Sequence, residues 1–331
     1  MKKATFILVL LTCMLFVGCK DDKKSEENSI KQVNKITSKK IKEVSSNKSQ
    51  SKNTKEKDMW DITGYERLKD IIYIDKLNIE KVDLVNVEVD AYEIKYKSDD
   101  CEIVSFLALP RATTLNRTKA PCIIYNRDGY GDEKTNTSTT IIDLASFFNA
   151  AVFATQYRGN TTSTGADAFG GADVNDVIKL VDLCNKFEFI DSERIYMSGV
   201  GRGGMMTYMA ASRDKRIKKI AVKGGMADLF MTADYRPDMH QVFRDYVGGI
   251  PAELPAEFQA RSATYWANTI TCPVLLIHGR YDPYVSYDEA VKMDQCLNNC
   301  GVQHQLITNE NEVNSYQLSD FTQIKTWFEL V

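Results

Sequence analysis

The sequence predicts an α/β domain built on a mostly parallel sheet, and three observations carry that prediction. Short apolar runs alternate with helical patterns from about residue 120 to the end of the chain. Strands of that kind, buried on both faces and separated by helices, pair in parallel through right-handed crossovers. The 273 residues from Met59 onward are enough for one such domain and leave no room for a second large one.

The elements follow in order. Val87 to Tyr96 alternates in side-chain character, Ser98-Asp99-Asp100 breaks it, and Ile103 to Pro110 resumes it, which reads as an antiparallel hairpin. Apolar strands are expected at Cys122–Tyr125, Ala151–Ala154, Arg194–Met197, Ile220–Val222, Val274–Ile277 and His304–Thr308. The intervening helices begin near Thr140, Ala172, Arg202, Tyr287 and Tyr316. Residues 226–266 are rich in helix formers but interrupted by Pro237, Pro251 and Pro255. They read as a small helical cap over the carboxyl ends of the strands, where open α/β sheets bind ligands. No internal repeat is present.

Ahead of the domain lie two segments of different character. Residues 1–18 open with Met1-Lys2-Lys3 and continue as a mostly apolar run from Ala4 to Gly18, the pattern of a secretory signal. That run is short of the ~20 residues a membrane span needs. Leu15-Phe16-Val17-Gly18-Cys19 resembles the lipobox of bacterial lipoproteins, which implies a lipidated Cys19. Lys20-Asp21-Asp22 resembles the surface-export signal of some lipoproteins of the Bacteroidetes type. Residues 20–58 hold twelve Lys against seven Asp and Glu and almost no large apolar side chain, so with Cys19 they read as a disordered tether.

Charge and cysteine content narrow the function classes. The first 58 residues carry +7 of a chain total of −3, which leaves the domain at −10. An acidic body repels polyanions, and the basic tether, weighed as a nucleic-acid-binding arm, has no aromatics, so nucleic acid is not an expected partner. Six cysteines remain from Cys101 onward; Cys122 and Cys272 read as buried thiols, whereas Cys296 and Cys300 are four apart on a helix and could meet on one face. No cluster has zinc-ligand spacing, and neither metal nor cofactor is expected.

The most informative stretch is Gly199-Val200-Gly201-Arg202-Gly203-Gly204, between a strand and a helix. Its glycine spacing is neither that of a dinucleotide fingerprint nor that of a Walker loop. With Cys122–Arg127, Gln156–Asn160, Phe169–Asp176, Arg202–Tyr208, Arg261–Ala263 and His278–Asp282, in that order, it resembles the catalytic domain of the prolyl oligopeptidase family of serine peptidases. The likeness covers roughly residues 87–331 and implies an α/β-hydrolase fold, in the form of the smaller bacterial members that lack a β-propeller.

The resemblance also implies where a triad would stand, and most of it is missing. The nucleophile position maps to Gly201, which has no side chain; the base position maps to Asn314, an amide that cannot take a proton near neutral pH; the acid position is kept as Asp282. The backbone amides of Arg202 and of the turn after Tyr125 would face the oxyanion, but Asn126-Arg127-Asp128-Gly129 puts a carboxylate there. Arg127, Arg158 and Arg202 are candidates to converge and hold a ligand carboxylate, unless each is a structural ion pair. Ser198 and Thr161–Thr164 are the substitute hydroxyls to weigh. Of the three histidines, His278 reads as a packed core residue, His304 starts a strand and His240 lies in the cap.

These readings converge on an exported, lipid-anchored protein of a bacterial cell envelope that binds a peptide, ester or other small ligand without cutting it. Two alternatives stand beside it: a serine-type peptidase or esterase using a nonstandard nucleophile, and a scaffold for another envelope protein.

Overall fold

The computed structural model describes residues 60–78, 87–310 and 317–330. The segments expected to be a signal and a tether, with Cys19, and the Asn314 position lie outside the described residues. Among the described residues nine strands form one sheet in the order β1-β2-β3-β5-β4-β6-β7-β8-β9. They are β1 Ile71–Lys76, β2 Val89–Ser98, β3 Cys101–Pro110, β4 Ala120–Asn126, β5 Ala151–Thr155, β6 Ile190–Val200, β7 Lys219–Lys223, β8 Val274–Gly279 and β9 His304–Asn309.

The first three strands and the β3–β5 seam pair antiparallel, and every pair from β5 through β4 to β9 is parallel. The expected hairpin is β2 and β3, joined at Asp99-Asp100 with Asp99 at φ +51°. Strands β4, β5 and β8 are buried along their whole length. That is why they read as unbroken apolar runs rather than alternating ones.

The helices are α1 Arg111–Asn116, α2 Ser138–Phe148, α3 Val174–Lys186, α4 Arg202–Arg213, α5 Leu229–Tyr235, α6 Met239–Tyr246, α7 Pro255–Arg261, α8 Tyr287–Asn299 and α9 Leu318–Trp327. Local chemistry sets their ends. Thr137 caps α2 by accepting the Thr140 amide at 3.1 Å, and Asp228 caps α5 by accepting the amides of Phe230 and Met231. Helices α5, α6 and α7 fill the interval between β7 and β8 that was expected to form the cap. Among the described residues no helix is long and apolar enough to cross a membrane.

Two features escaped the sequence reading. Strand β1 adds an edge beyond the hairpin, and β5 inserts between β3 and β4, so the hairpin joins the parallel part of the sheet through β5.

Candidate functional site

The centre of the sheet ends in a sharp elbow. Strand β6 runs into Gly201 at φ +54° and ψ −120°, and α4 begins at the next residue. Positive φ is where an L-residue is strained and glycine is not. The flanking glycines are required by close packing: a Cβ on Gly203 would sit 2.0 Å from the Asn126 carbonyl oxygen, and one on Gly199 would sit 2.2 Å from that of Gly203. Strand β6, helix α4 and the end of β4 therefore touch backbone to backbone.

The space a side chain at 201 would use is filled from β4's side. A Cβ built on Gly201 would lie 2.2 Å from Asp128 Oδ1. That oxygen accepts the Arg202 backbone N–H at 3.0 Å, and Oδ2 accepts the Lys134 ammonium at 2.7 Å. Asp128 was expected to lie near the old oxyanion position. It takes the donor there for itself.

The loop carrying Asp128 is braced from beneath. The buried Arg127 guanidinium donates to four carbonyls, those of Asp128, Gly131, Glu133 and Gln156, at 2.9–3.1 Å. Its Cζ stands 4.9 Å from the centre of the Tyr157 ring, whose hydroxyl donates back to the Arg127 carbonyl. Gly129, at φ +81°, would bring a Cβ within 2.6 Å of the Glu133 carbonyl oxygen.

The expected convergence of Arg127, Arg158 and Arg202 on a ligand does not occur. Arg202 is fully buried, pairs with Asp167 and Asp173, donates to the Gly129 carbonyl, and lies over Tyr157 and Phe169. Arg158 pairs with Asp176 at 2.7 Å and Asp99 at 2.8 Å. A planar fork buried against carboxylates is spent on the fold. Charged partners far apart in sequence left no signal by which Asp167, Asp173 or Asp99 could have been paired in advance.

Asp282 follows β8 and is buried. Its Oδ1 accepts the amides of Tyr284 at 2.8 Å and Val285 at 3.1 Å, the work of a loop-stabilising acceptor. Its Oδ2 is buried with no hydrogen-bond partner among the described residues. Burial pushes this carboxyl up to about 6, and the neighbouring charge of Asp128 adds to the push. His278 Nε2 lies 3.6 Å from Oδ2 but donates to the Val285 carbonyl at 2.9 Å. Burial holds its imidazole neutral, pushed down to about 4, so the two are a packed contact rather than an ion pair.

The other two imidazoles are engaged elsewhere. His240 Nε2 is 3.2 Å from the Ala233 carbonyl; His304 Nδ1 is 2.7 Å from that of Val302, with Nε2 3.3 Å from Asp294. Of the substitute hydroxyls, Thr161 donates to the Asn160 carbonyl and Thr162 is exposed at the surface. Ser163 and Thr164 accept amides of Val104 and Glu102 and so stitch their loop to β3, and Ser198 is buried inside β6.

A buried ion pair completes the floor. The Lys223 ammonium, at the end of β7, meets Asp320 at 2.9 Å, and Asp320 also accepts from Asn309 and from the Gln317 amide. The Lys223 carbonyl accepts the Gly201 N–H at 3.3 Å. Among the described residues no group of three or more His, Cys, Asp or Glu side chains is placed to hold a metal ion.

From β2 onward the strand order, the elbow and the acid after β8 define a protein of the α/β-hydrolase fold. The sequence matches the prolyl oligopeptidase family over residues 129–328, and the chain belongs to that family. It is 30% identical over 210 residues to the uncharacterized peptidase YtmA of Bacillus subtilis, covering 63% of this chain and 80% of that one. It is 26% identical over 153 residues to the inactive dipeptidyl peptidase 10 of Mus musculus, covering 46% of this chain and 18% of that one. The acylaminoacyl peptidase of Pyrococcus horikoshii superposes with a TM-score of 0.62 at 18% identity, over 73% of this chain and 41% of that one. Acetyl xylan esterase 1 of Thermoanaerobacterium sp. JW/SL YS485 superposes with a TM-score of 0.58 at 16% identity, over 78% and 87%.

Proposed function

We propose that the chain is a non-hydrolysing member of its family, a binding protein carried on the bacterial cell envelope by a lipid on Cys19. The single observation that carries the reading is the Asp128 carboxylate lodged against Gly201. Acyl transfer in this fold needs an attacking oxygen, a proton acceptor and open donors for the oxyanion. Gly201 offers no oxygen, the three imidazoles are committed elsewhere, and the Arg202 amide already carries a carboxylate. Parts of such a site act as a unit, so the losses do not simply add; one missing member already costs ~10⁶ in turnover.

A fluorophosphonate probe tests the reading, since it reacts with an activated serine alone. No labelling above a heat-denatured control is expected; labelling that maps to one serine would overturn the proposal and establish a peptidase or esterase with a nonstandard nucleophile. The anchoring half is tested by Cys19→Ala, which should move the chain from the membrane to the soluble fraction of its bacterial host.

A further inference from the structure

We infer that the old catalytic centre now takes a cationic peptide segment, with Asp128 and the unpartnered Oδ2 of Asp282 receiving a lysine or arginine side chain. The inference rests on the proposed non-hydrolysing role and names its ligand class. The polarity of the locus has inverted. A backbone donor that would face developing negative charge is occupied by Asp128, whose side chain keeps some exposure, while Asp282 is buried behind it in the loop after β8.

Three observations point to a cation. The first is Asp282 itself, 2% exposed with one oxygen that has no hydrogen-bond partner among the described residues, and near enough to Asp128 for the two charges to be felt at one another. A buried carboxylate oxygen without a donor is costly, and a ligand N–H removes the cost.

The second is Lys134. Its ammonium holds Asp128 Oδ2 at 2.7 Å and lies 5.6 Å from the centre of the Tyr284 ring, on a side chain that is 46% exposed. It is the protein's own demonstration that this position accepts an amine. An exposed ion pair of this kind is weak, so a ligand amine can displace it.

The third is the rim. Tyr284 also carries Arg236 at 5.3 Å, Tyr281 is 69% exposed, and Tyr235 is 48% exposed with its hydroxyl donating to the Asp282 carbonyl. Exposed tyrosine faces beside carboxylates suit the aliphatic stem and charged head of Lys or Arg. The −10 charge of the domain steers cations toward it at low salt.

The test is calorimetric titration of the full-length chain in detergent with Lys-Lys-Lys, Ala-Ala-Ala and Glu-Glu-Glu. Binding of Lys-Lys-Lys alone is expected, weakening with salt. Lys134→Ala should tighten it several-fold, because an internal competitor is gone, and a misfolded variant cannot mimic a gain. Asp128→Asn should weaken it by about tenfold or more. Glu193→Gln, on the exposed outer stretch of β6, should leave it unchanged.

The inference is overturned if Glu-Glu-Glu binds as well, if neither the native chain nor Lys134→Ala binds Lys-Lys-Lys, or if Glu193→Gln weakens binding as much as Asp128→Asn does. Mass spectrometry of the recovered peptide keeps the two proposals apart. Cleaved Lys-Lys-Lys would end the non-hydrolysing reading while leaving the cation site standing.

Discussion

Asp128 and Gly201 exclude one another's side chains: Oδ1 of the first stands 2.2 Å from where a Cβ on the second would be. Returning serine to 201 must therefore evict the carboxylate from the Arg202 amide and from Lys134, at a φ of +54° that already strains an L-residue. Overpacking of this sort costs ~1–3 kcal/mol. Gly201→Ser should lower the melting temperature by several degrees, and Gly201→Ser with Asp128→Ala should recover much of the loss, which thermal denaturation of the four forms would show as non-additivity. Neither variant should hydrolyse p-nitrophenyl acetate above the native chain, because a hydroxyl without an imidazole is not activated.

The buried arginine of the elbow makes a second prediction. Arg202 faces Asp167 and Asp173, each all but inaccessible to water. Removing the cation leaves two buried carboxylates uncompensated, a change that costs ~3–5 kcal/mol where one partner of a buried pair is lost. Arg202→Ala should shift the urea midpoint sharply downward. Exposed Arg244, paired with Glu253 on the surface, should barely move it when replaced by alanine.

Stability should fall as pH rises from 6.5 to 8, and Glu289 is the cause. This fully buried carboxyl accepts the amides of Ala227 and Asp228 and the Thr232 hydroxyl, and burial pushes it up from 4.5 to about 8. A raised carboxyl holds its proton in the folded state longer than in the unfolded one, so its contribution is full below 4.5 and is lost as pH climbs through 8. Asp282 acts in the same direction but only between 3.8 and about 6. His278 acts the other way, losing stability as pH falls from 6.5 toward 4. Above 6.5 Glu289 is the member of these three still titrating, and Glu289→Gln should flatten the decline in urea melts taken at pH 6.5, 7.25 and 8.

How much of this was legible beforehand depends on the range of the interaction. Strands β4 and β8 announced themselves because burial on both faces demands unbroken apolar runs, and the elbow glycines because backbone packs on backbone there. The loop role of Asp282 followed from an Asp two and three residues before the amides it accepts. Strand β1 was missed because an edge strand of six residues, buried at two of them, has little pattern to show. The partners of Arg158 and Arg202 were illegible for a different reason: 59 residues separate Arg158 from Asp99 and 35 separate Arg202 from Asp167, and only the finished fold brings them together. Lys134 was close in sequence to Asp128, yet the turn that folds it back depends on Arg127 gathering four carbonyls.

Cysteine accessibility gives the last prediction. The sulfurs of Cys122 on β4 and Cys184 on α3 are 3.5 Å apart and wholly buried, a pairing that helix-face spacing did not foretell. The hydrogen-bonded Cys184 sulfur, with burial behind it, pushes the Cys122 thiol upward, which suppresses the thiolate that reacts. Cys272 is buried as well and pushed up to about 11. Cys300 is exposed, whereas Cys101 and Cys296 are half-buried and the Cys296 thiol lies against the Thr264 carbonyl. Maleimide added to the reduced native protein should therefore mark Cys300 first and leave Cys122, Cys184 and Cys272 unmodified until denaturant is present. Peptide mapping after timed quenching reads the order directly, and early labelling of Cys122 or Cys184 would mean that α3 does not stay packed on β4.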